Sequence, residues 1–151
     1  MLIGVISDTH GLLRPEALAA LQGAQHIIHA GDICAPEVLV ALAAIAPVTA
    51  VRGNNDKGAW AARIPATAVF EAEGMSIYVL HDLAELDVDP VAAGFRVVIA
   101  GHSHQPSQDE RNGVLFFNPG SAGPRRFRLP VSVGRLHVEK GAVRGELVPL
   151  G

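Results

Sequence analysis

The chain begins with an apolar run, Leu2–Ile6, that stops at Ser7-Asp8-Thr9-His10-Gly11. A run that short, closed by a glycine, predicts a buried strand. Alternation along a strand puts Asp8 and His10 on one side of its carboxyl end. Arg14–Leu21 then predicts a helix. Pro15 suits its first turn, Leu18 and Leu21 share a face, and Gly23 ends it. Gln25–Ala30 predicts a second strand running into Gly31-Asp32. Pro36 opens a second helix to about Ala44, with Val38, Leu39 and Leu42 on the core side. Val48–Val51 predicts a third strand, which empties into Arg52-Gly53-Asn54-Asn55-Asp56. This β-α-β-α-β order implies parallel strands joined by crossover helices. Asp-x-His, Gly-Asp and Gly-Asn-Asn-Asp therefore fall at one edge of one sheet, the edge where open α/β sheets bind ligands.

The second half is richer in strands. Residues 57–65 read as a loop carrying Trp60. Thr67–Ala72 and Met75–Leu80 predict a hairpin about Glu73-Gly74, and its second strand ends in His81-Asp82. Residues 85–94 predict a short helix closed by Gly94. Arg96–Ala100 is an apolar strand that empties into Gly101-His102-Ser103-His104. Gln108–Arg111 and Val114–Phe117 form a hairpin through Asn112-Gly113, followed by the turn Asn118-Pro119-Gly120-Ser121. Val131–Val138 and Ala142–Val148 close the chain as a third hairpin, with Gly141 in its turn. The expected build is a single α/β domain over residues 1–151, with two mixed sheets face to face and helices outside, an α/β/β/α sandwich of four layers.

Composition narrows the function classes. With 151 residues, 49% hydrophobic and 18% charged, the chain can bury a real core, and its composition argues against disorder. No apolar run approaches about 18 residues, so no transmembrane helix is expected. No basic residue precedes Arg14, and Leu2–Ile6 is too short for a signal core, so no leader is expected. A single cysteine, Cys34, excludes an internal disulfide and fits a reducing cytoplasm. A net charge of -3 argues against a bulk nucleic-acid binder.

The candidate chemistry lies at the strand ends. Asp8, His10, Asp32, Asn54, His81, His102 and His104 are all metal-ligand types, each following an apolar run or a glycine. The set mixes carboxylate, carboxamide and imidazole without thiolate, which suits Mn, Fe, Zn, Co or Ni rather than Ca. It exceeds one tetrahedral site and divides into two metals sharing a carboxylate.

The ordered motifs Ser7-Asp8-Thr9-His10-Gly11, His29-Ala30-Gly31-Asp32, Arg52-Gly53-Asn54-Asn55-Asp56, Gly101-His102-Ser103-His104 and Asn118-Pro119-Gly120-Ser121, with His81 between, resemble the calcineurin-like metallophosphoesterases. More narrowly, they resemble the small bacterial and archaeal phosphodiesterases of that superfamily. The resemblance implies a metallo-dependent phosphatase fold and two divalent ions, Mn²⁺ foremost. One ion would be held by Asp8, His10, Asp32 and His104, and the other by Asp32, Asn54, His81 and His102, with Asp32 bridging. It also implies hydrolysis of a small-molecule phosphodiester by a hydroxide between the metals, and a homo-oligomer.

The chain departs from that pattern twice. Asn55 stands where many relatives have a histidine that donates to the phosphoryl or leaving oxygen. An amide can hydrogen-bond a phosphate oxygen but cannot act as a general acid near neutrality. Asp82 stands where a glycine is usual; it either supports a neighbouring imidazole or crowds the phosphate with negative charge.

Other residues are read more plainly. His29 is a partner of a ligand or a satisfied core imidazole, and Asp56 anchors the loop of Asn54. Arg125 and Arg126 either reach a phosphate or lie in a solvated loop. His26 and His137 are expected in solvent, Cys34 as a small buried side chain, and Arg52 and Asp109 as surface charges. The alternative function is a protein-interaction scaffold like the retromer subunit of this fold; a phosphomonoesterase or nuclease stays open within the enzyme class.

Overall fold

A computed structural model describes residues 1–151. The first half runs β1 (Leu2–Ile6), α1 (Pro15–Ala20), β2 (His26–His29), α2 (Pro36–Ala43), β3 (Val48–Ala50) and α3 (Ala59–Ala62). The second half runs β4 (Thr67–Ala72), β5 (Met75–Leu80), a 3₁₀ turn (Leu83–Glu85), α4 (Pro90–Ala93), β6 (Phe95–Ile99), β7 (Ser107–Arg111), β8 (Val114–Asn118), β9 (Ser132–Glu139) and β10 (Ala142–Pro149). One sheet has the order β10-β9-β1-β2-β3 and the other β4-β5-β6-β8-β7. Both are mixed. The strands β1, β2 and β3 are parallel, and β9 returns antiparallel beside β1. In the second sheet β5, β6 and β8 are parallel, while β4 and β7 are hairpin edges.

Period-two alternation builds the layers. Ile3 and Val5 of β1 face the second sheet, where they meet Ile77, Val79, Val97, Ile99 and Phe117 in one core. Ile6 and Ile27 face the other way, under Ala17 and Leu21 of α1 and Val38 and Leu42 of α2. The first sheet is thus covered on both faces, as a parallel sheet requires. The second is covered outside only by the 3₁₀ turn and α4, over a small cluster of Tyr78, Leu80, Val98, Ala100 and Val114.

Four local readings differ from the structure. The predicted loop over 57–65 contains the single turn α3, which begins at Gly58 and whose Trp60 packs on the helix-side core. A four-residue element shows no periodicity to read. The helix expected over 85–94 shrinks to α4, because Pro90 has no amide hydrogen to continue a helix from before it. It begins at the Asp89 cap and ends at Gly94, whose φ of 81° is left-handed. Arg52 is not a free surface charge: its guanidinium donates to the carbonyls of Ala61 and Ile64, at 3.5 and 2.7 Å, and closes the end of α3. His26 is not in open solvent either. It stacks on Phe70 with centroids 3.9 Å apart and bonds Thr49 Oγ1 at 2.7 Å. Burial lowers its pKa.

Candidate metal centre

The carboxyl ends of β1, β2, β5 and β6 meet between the sheets, and their loops turn sharply there. Asp8, His10, Asp32, His102 and His104 all adopt positive φ, between 47° and 72°, where non-glycine residues are strained. Gly31 has φ 102°, and a Cβ there would lie 2.6 Å from His81 Nδ1. Gly53 has no room for a Cβ because the Asp32 carboxylate and amide occupy its place. The two glycines let three loops close on one point.

Asp8 is fully buried. Its Oδ2 accepts from Ser7 Oγ at 2.7 Å and from the His102 amide at 3.0 Å. Its Oδ1 has no hydrogen-bond partner. Three imidazole nitrogens surround that oxygen: His104 Nε2 at 3.5 Å, His81 Nε2 at 3.8 Å and His10 Nε2 at 4.0 Å. Asp32 Oδ2 faces His81 Nε2 at 3.3 Å and His10 Nε2 at 3.6 Å. Two donor groups result, each tight enough to hold one ion: Asp8, His10 and His104, and Asp8, Asp32 and His81. Asp8 is common to both, whereas the sequence resemblance implies Asp32 as the bridge; both carboxylates lie among the imidazoles.

The donor set fits divalent cations on a direct observation. Asp8 Oδ1 and His10 Nε2, 4.0 Å apart, are buried and lack hydrogen-bond partners, which is costly unless a cation meets them. His81 makes the same point. Its Nδ1–H donates to the Ala30 carbonyl at 2.7 Å, which turns Nε2 toward two carboxylates and toward His102 Nδ1, 3.3 Å away. Burial opposes a charge on His81, but the carboxylate of Asp32, the Ala30 carbonyl and the Asp8 charge outweigh it and raise its pKa to about 8. Burial also opposes charge on Asp32, yet His81 and the two Asn55 donors hold its carboxyl well below the usual range. His104 is lowered by burial, aided by the Arg126 and His10 charges.

The remaining predicted residues take definite places. Asn54 is exposed and borders, with His81, Asp82 and His102, a cleft of about 220 Å³. Asn55 donates its amide to Asp32 Oδ1 at 2.9 Å and its side chain to Asp32 Oδ2 at 3.0 Å, so it grips the carboxylate. Asp56 is buried and accepts the amides of Asp32, Gly53 and Cys34, at 3.0, 2.8 and 2.8 Å. It joins the β2 loop to the β3 loop. Asp82 caps the 3₁₀ turn through Ala84 and sits 3.7 Å from His102 Nε2.

His29 is fully buried and satisfied: Nδ1 accepts from the Gly31 amide at 3.1 Å, and Nε2 meets Thr9 Oγ1 at 3.0 Å. Thr9 in turn donates to Ile33 O. Burial, with the His81 charge, lowers the His29 pKa to about 3. Arg125 donates to Gly151 O at 3.1 Å rather than facing the donor cluster. His137 pairs with Glu146 at 3.2 Å and Asp109 with Arg111 at 2.9 Å. Cys34 is only partly buried, with Sγ 3.7 Å from His10 Nδ1.

Sequence reasoning missed Ser7, whose hydroxyl fixes Asp8, and the Ala30 carbonyl, which selects the His81 tautomer. Ser7 was legible only as a neighbour of Asp8. A backbone carbonyl leaves no signal in residue type at all.

Residues 1–141 match the calcineurin-like phosphoesterase superfamily domain. The chain belongs to that superfamily. A probable metallophosphoesterase of Methanothermobacter thermautotrophicus is 35% identical over 163 residues, covering 100% of this chain and 94% of the relative. An archaeal phosphodiesterase of solved structure superposes with a TM-score of 0.81 at 25% identity, covering 98% and 100% of the two chains. Vps29 of Entamoeba histolytica, solved in complex with Zn²⁺, superposes with a TM-score of 0.77 at 24% identity over 100% of each chain, which speaks for the fold. As a calcineurin-like phosphoesterase the chain is a phosphoester hydrolase by family, and its clustered donors fit divalent metal. No helix is long and apolar enough to cross a membrane.

Proposed function

We propose that the protein is a dinuclear phosphodiesterase of the reducing cytoplasm that hydrolyses small phosphodiesters, with Mn²⁺ as its working metal. The observation that carries the reading is the buried, partnerless Asp8 Oδ1 set among three imidazole nitrogens. A structural core would not leave a carboxylate oxygen bare there. Asp8, His10, Asp32 and His104 would hold one ion, and Asp32, Asn54, His81 and His102 the other, with Asp8 near enough to both to share in either. Divalent ions in such a site act as Lewis acids on a phosphoryl oxygen and make water nucleophilic at neutral pH.

The chain's own residues then have defined work. Ser7 and the His102 amide hold one Asp8 oxygen so that the other faces inward. Ala30 fixes the His81 tautomer. Asn55 orients Asp32 and offers no proton near pH 7, so the leaving oxygen departs unaided and phenolic leaving groups turn over faster than alkyl ones. Thiolate-free N and O donors support Mn²⁺ over softer-site metals.

The second reading is a protein-interaction scaffold of the same fold, and Asn55 in place of a proton donor is the feature that favours it. The deciding experiment is hydrolysis of bis(p-nitrophenyl) phosphate by protein titrated with Mn²⁺. Two bound ions and turnover abolished in Asp8→Asn are expected. Inertness with every divalent ion tried would leave the scaffold.

A further inference from the structure

The outer face of the second sheet is apolar where β6 and β8 lie, and only the 3₁₀ turn and the four-residue α4 lie on that side. Val98 and Ala100 are nearly inaccessible, and Phe116 packs partly buried beside them. The edge strand β7, exposed at all five of its residues, stands beside them as a wall. The result is a hollow of about 230 Å³ with Val98, Ala100 and Phe116 as its floor. His102 and Asp82 line it and also border the cleft holding Asn54 and His81. His102 is therefore the partition. One ring nitrogen looks toward His81 at 3.3 Å, and the other lies 3.7 Å from Asp82.

The lining has a definite chemistry. Arg111 is already engaged: its Nε meets Asp109 at 2.9 Å and its guanidinium lies 4.3 Å over the Phe116 ring. A planar guest would find that guanidinium and the apolar floor as stacking surfaces. Asp82 and Asp109 against Arg111 leave the rim net negative, which disfavours a second anionic group. The volume falls below the range of about 300–1,000 Å³ usual for drug-sized ligands, so the room is for one ring system.

Position selects the arm of the substrate. In-line displacement sends the leaving group away opposite the nucleophile. The hollow is reached past His102, a proposed metal ligand, and a leaving group departs away from the ions rather than past their ligands. We infer that it receives the arm of a phosphodiester that stays on phosphorus, and that this arm carries an uncharged aromatic ring. The inference rests on the phosphodiesterase reading and adds the substrate class to it.

The test uses the Mn²⁺-loaded protein with phenyl p-nitrophenyl phosphate and methyl p-nitrophenyl phosphate, which share one leaving group. Burial of one ring predicts a kcat/KM at least about tenfold higher for the phenyl ester. Ser107 borders the hollow from an exposed strand position that tolerates aromatics, and Ser107→Trp fills it. It should remove the preference while leaving the methyl ester within about twofold. Arg111→Ala should lower it in the same direction, and melting temperatures check that both variants fold.

Independently of turnover, phenol added to the metal-free protein should shift the side-chain resonances of Phe116 and Arg111, but not in Ser107→Trp. A phenyl preference that survives Ser107→Trp, equal rates for the two esters, or absent phenol shifts each overturn the inference and leave the phosphodiesterase reading standing. Hydrolysis of neither ester with any divalent ion, while phenol still binds, overturns the phosphodiesterase reading and the inference with it.

Discussion

Asp56 offers the sharpest test of how the centre is held together, because it touches no proposed ligand side chain. Its carboxylate is 6% exposed and accepts three backbone amides from two different loops. One oxygen takes Asp32 and Gly53, and the other takes Cys34. In Asp56→Asn the shape is kept, and the best placement leaves the carbonyl oxygen on Asp32 and Gly53. The new NH₂ then faces the Cys34 amide, donor against donor. Each bond to a charged acceptor contributes about 1.5–3 kcal/mol, and a buried group left unpaired costs about 1–3 kcal/mol. One bond lost and two weakened add to about 3–4 kcal/mol. For a domain of this length that lowers Tm by about 10 °C, at roughly 2–4 °C per kcal/mol.

The loops that carry Asp32 and Asn54 should loosen together, and Mn²⁺ affinity should fall by about 10–100-fold, as for other outer partners of metal ligands. Melting followed by circular dichroism in chelator, with calorimetric Mn²⁺ titration, reads both effects. Asp109→Asn is the control, since that carboxylate is exposed and pairs only with Arg111; it should change Tm by less than about 2 °C. If Asp56→Asn matched the control in both measurements, the clamp would have no energetic content and the reasoning would fail.

Four further outcomes are expected. The His81 pKa of about 8 lies above its unfolded value near 6.5, so the stability it confers on metal-free protein, about 2 kcal/mol, is present below pH 6.5 and lost as pH rises through 8. Metal replaces that proton, so titration near pH 7 should release protons and apparent affinity should rise up to about pH 8; calorimetry in buffers of different ionisation enthalpy reads the release, and an unchanged release in His81→Asn would show that His81 is not a ligand. His29 behaves oppositely. Its folded pKa near 3 lies below the unfolded value, so stability falls as pH drops below 6.5, by about 2 kcal/mol at pH 5, and His29→Gln should flatten that slope in urea melts at pH 5 and 7. Asn55→His should raise turnover of alkyl-leaving diesters by at least about tenfold and of aryl ones less; an equal effect on both would remove proton donation as the missing element. Gly31→Ala should cost about 2–4 kcal/mol and weaken metal binding, because φ of 102° and the His81 contact both oppose a side chain; an unchanged melt would contradict the packing.

Much of this architecture was legible in residue order. Strand runs of about five apolar residues, Pro15 and Pro36 at helix starts, and Asn112-Gly113 in a tight turn are local signals, decided by neighbours a few positions away. The same order put Asp8, His10, Asp32, His81, His102 and His104 at strand ends, because the parallel strands of each sheet deliver their carboxyl ends to one edge. What residue order could not decide was which atoms meet once two sheets pack. That Asp8 as well as Asp32 faces both His10 and His81 depends on the placement of loops far apart in the chain. Asn55 gripping Asp32, Arg52 closing α3, His26 stacked on Phe70 and Arg125 held by Gly151 are likewise contacts between elements. The hollow beside His102 exists because only a 3₁₀ turn and a four-residue helix lie on that sheet face, and no motif encodes so thin a cover. Residue type and spacing determine which groups can reach the edge; only the packing of one sheet on the other fixes their distances, burial and proton affinities.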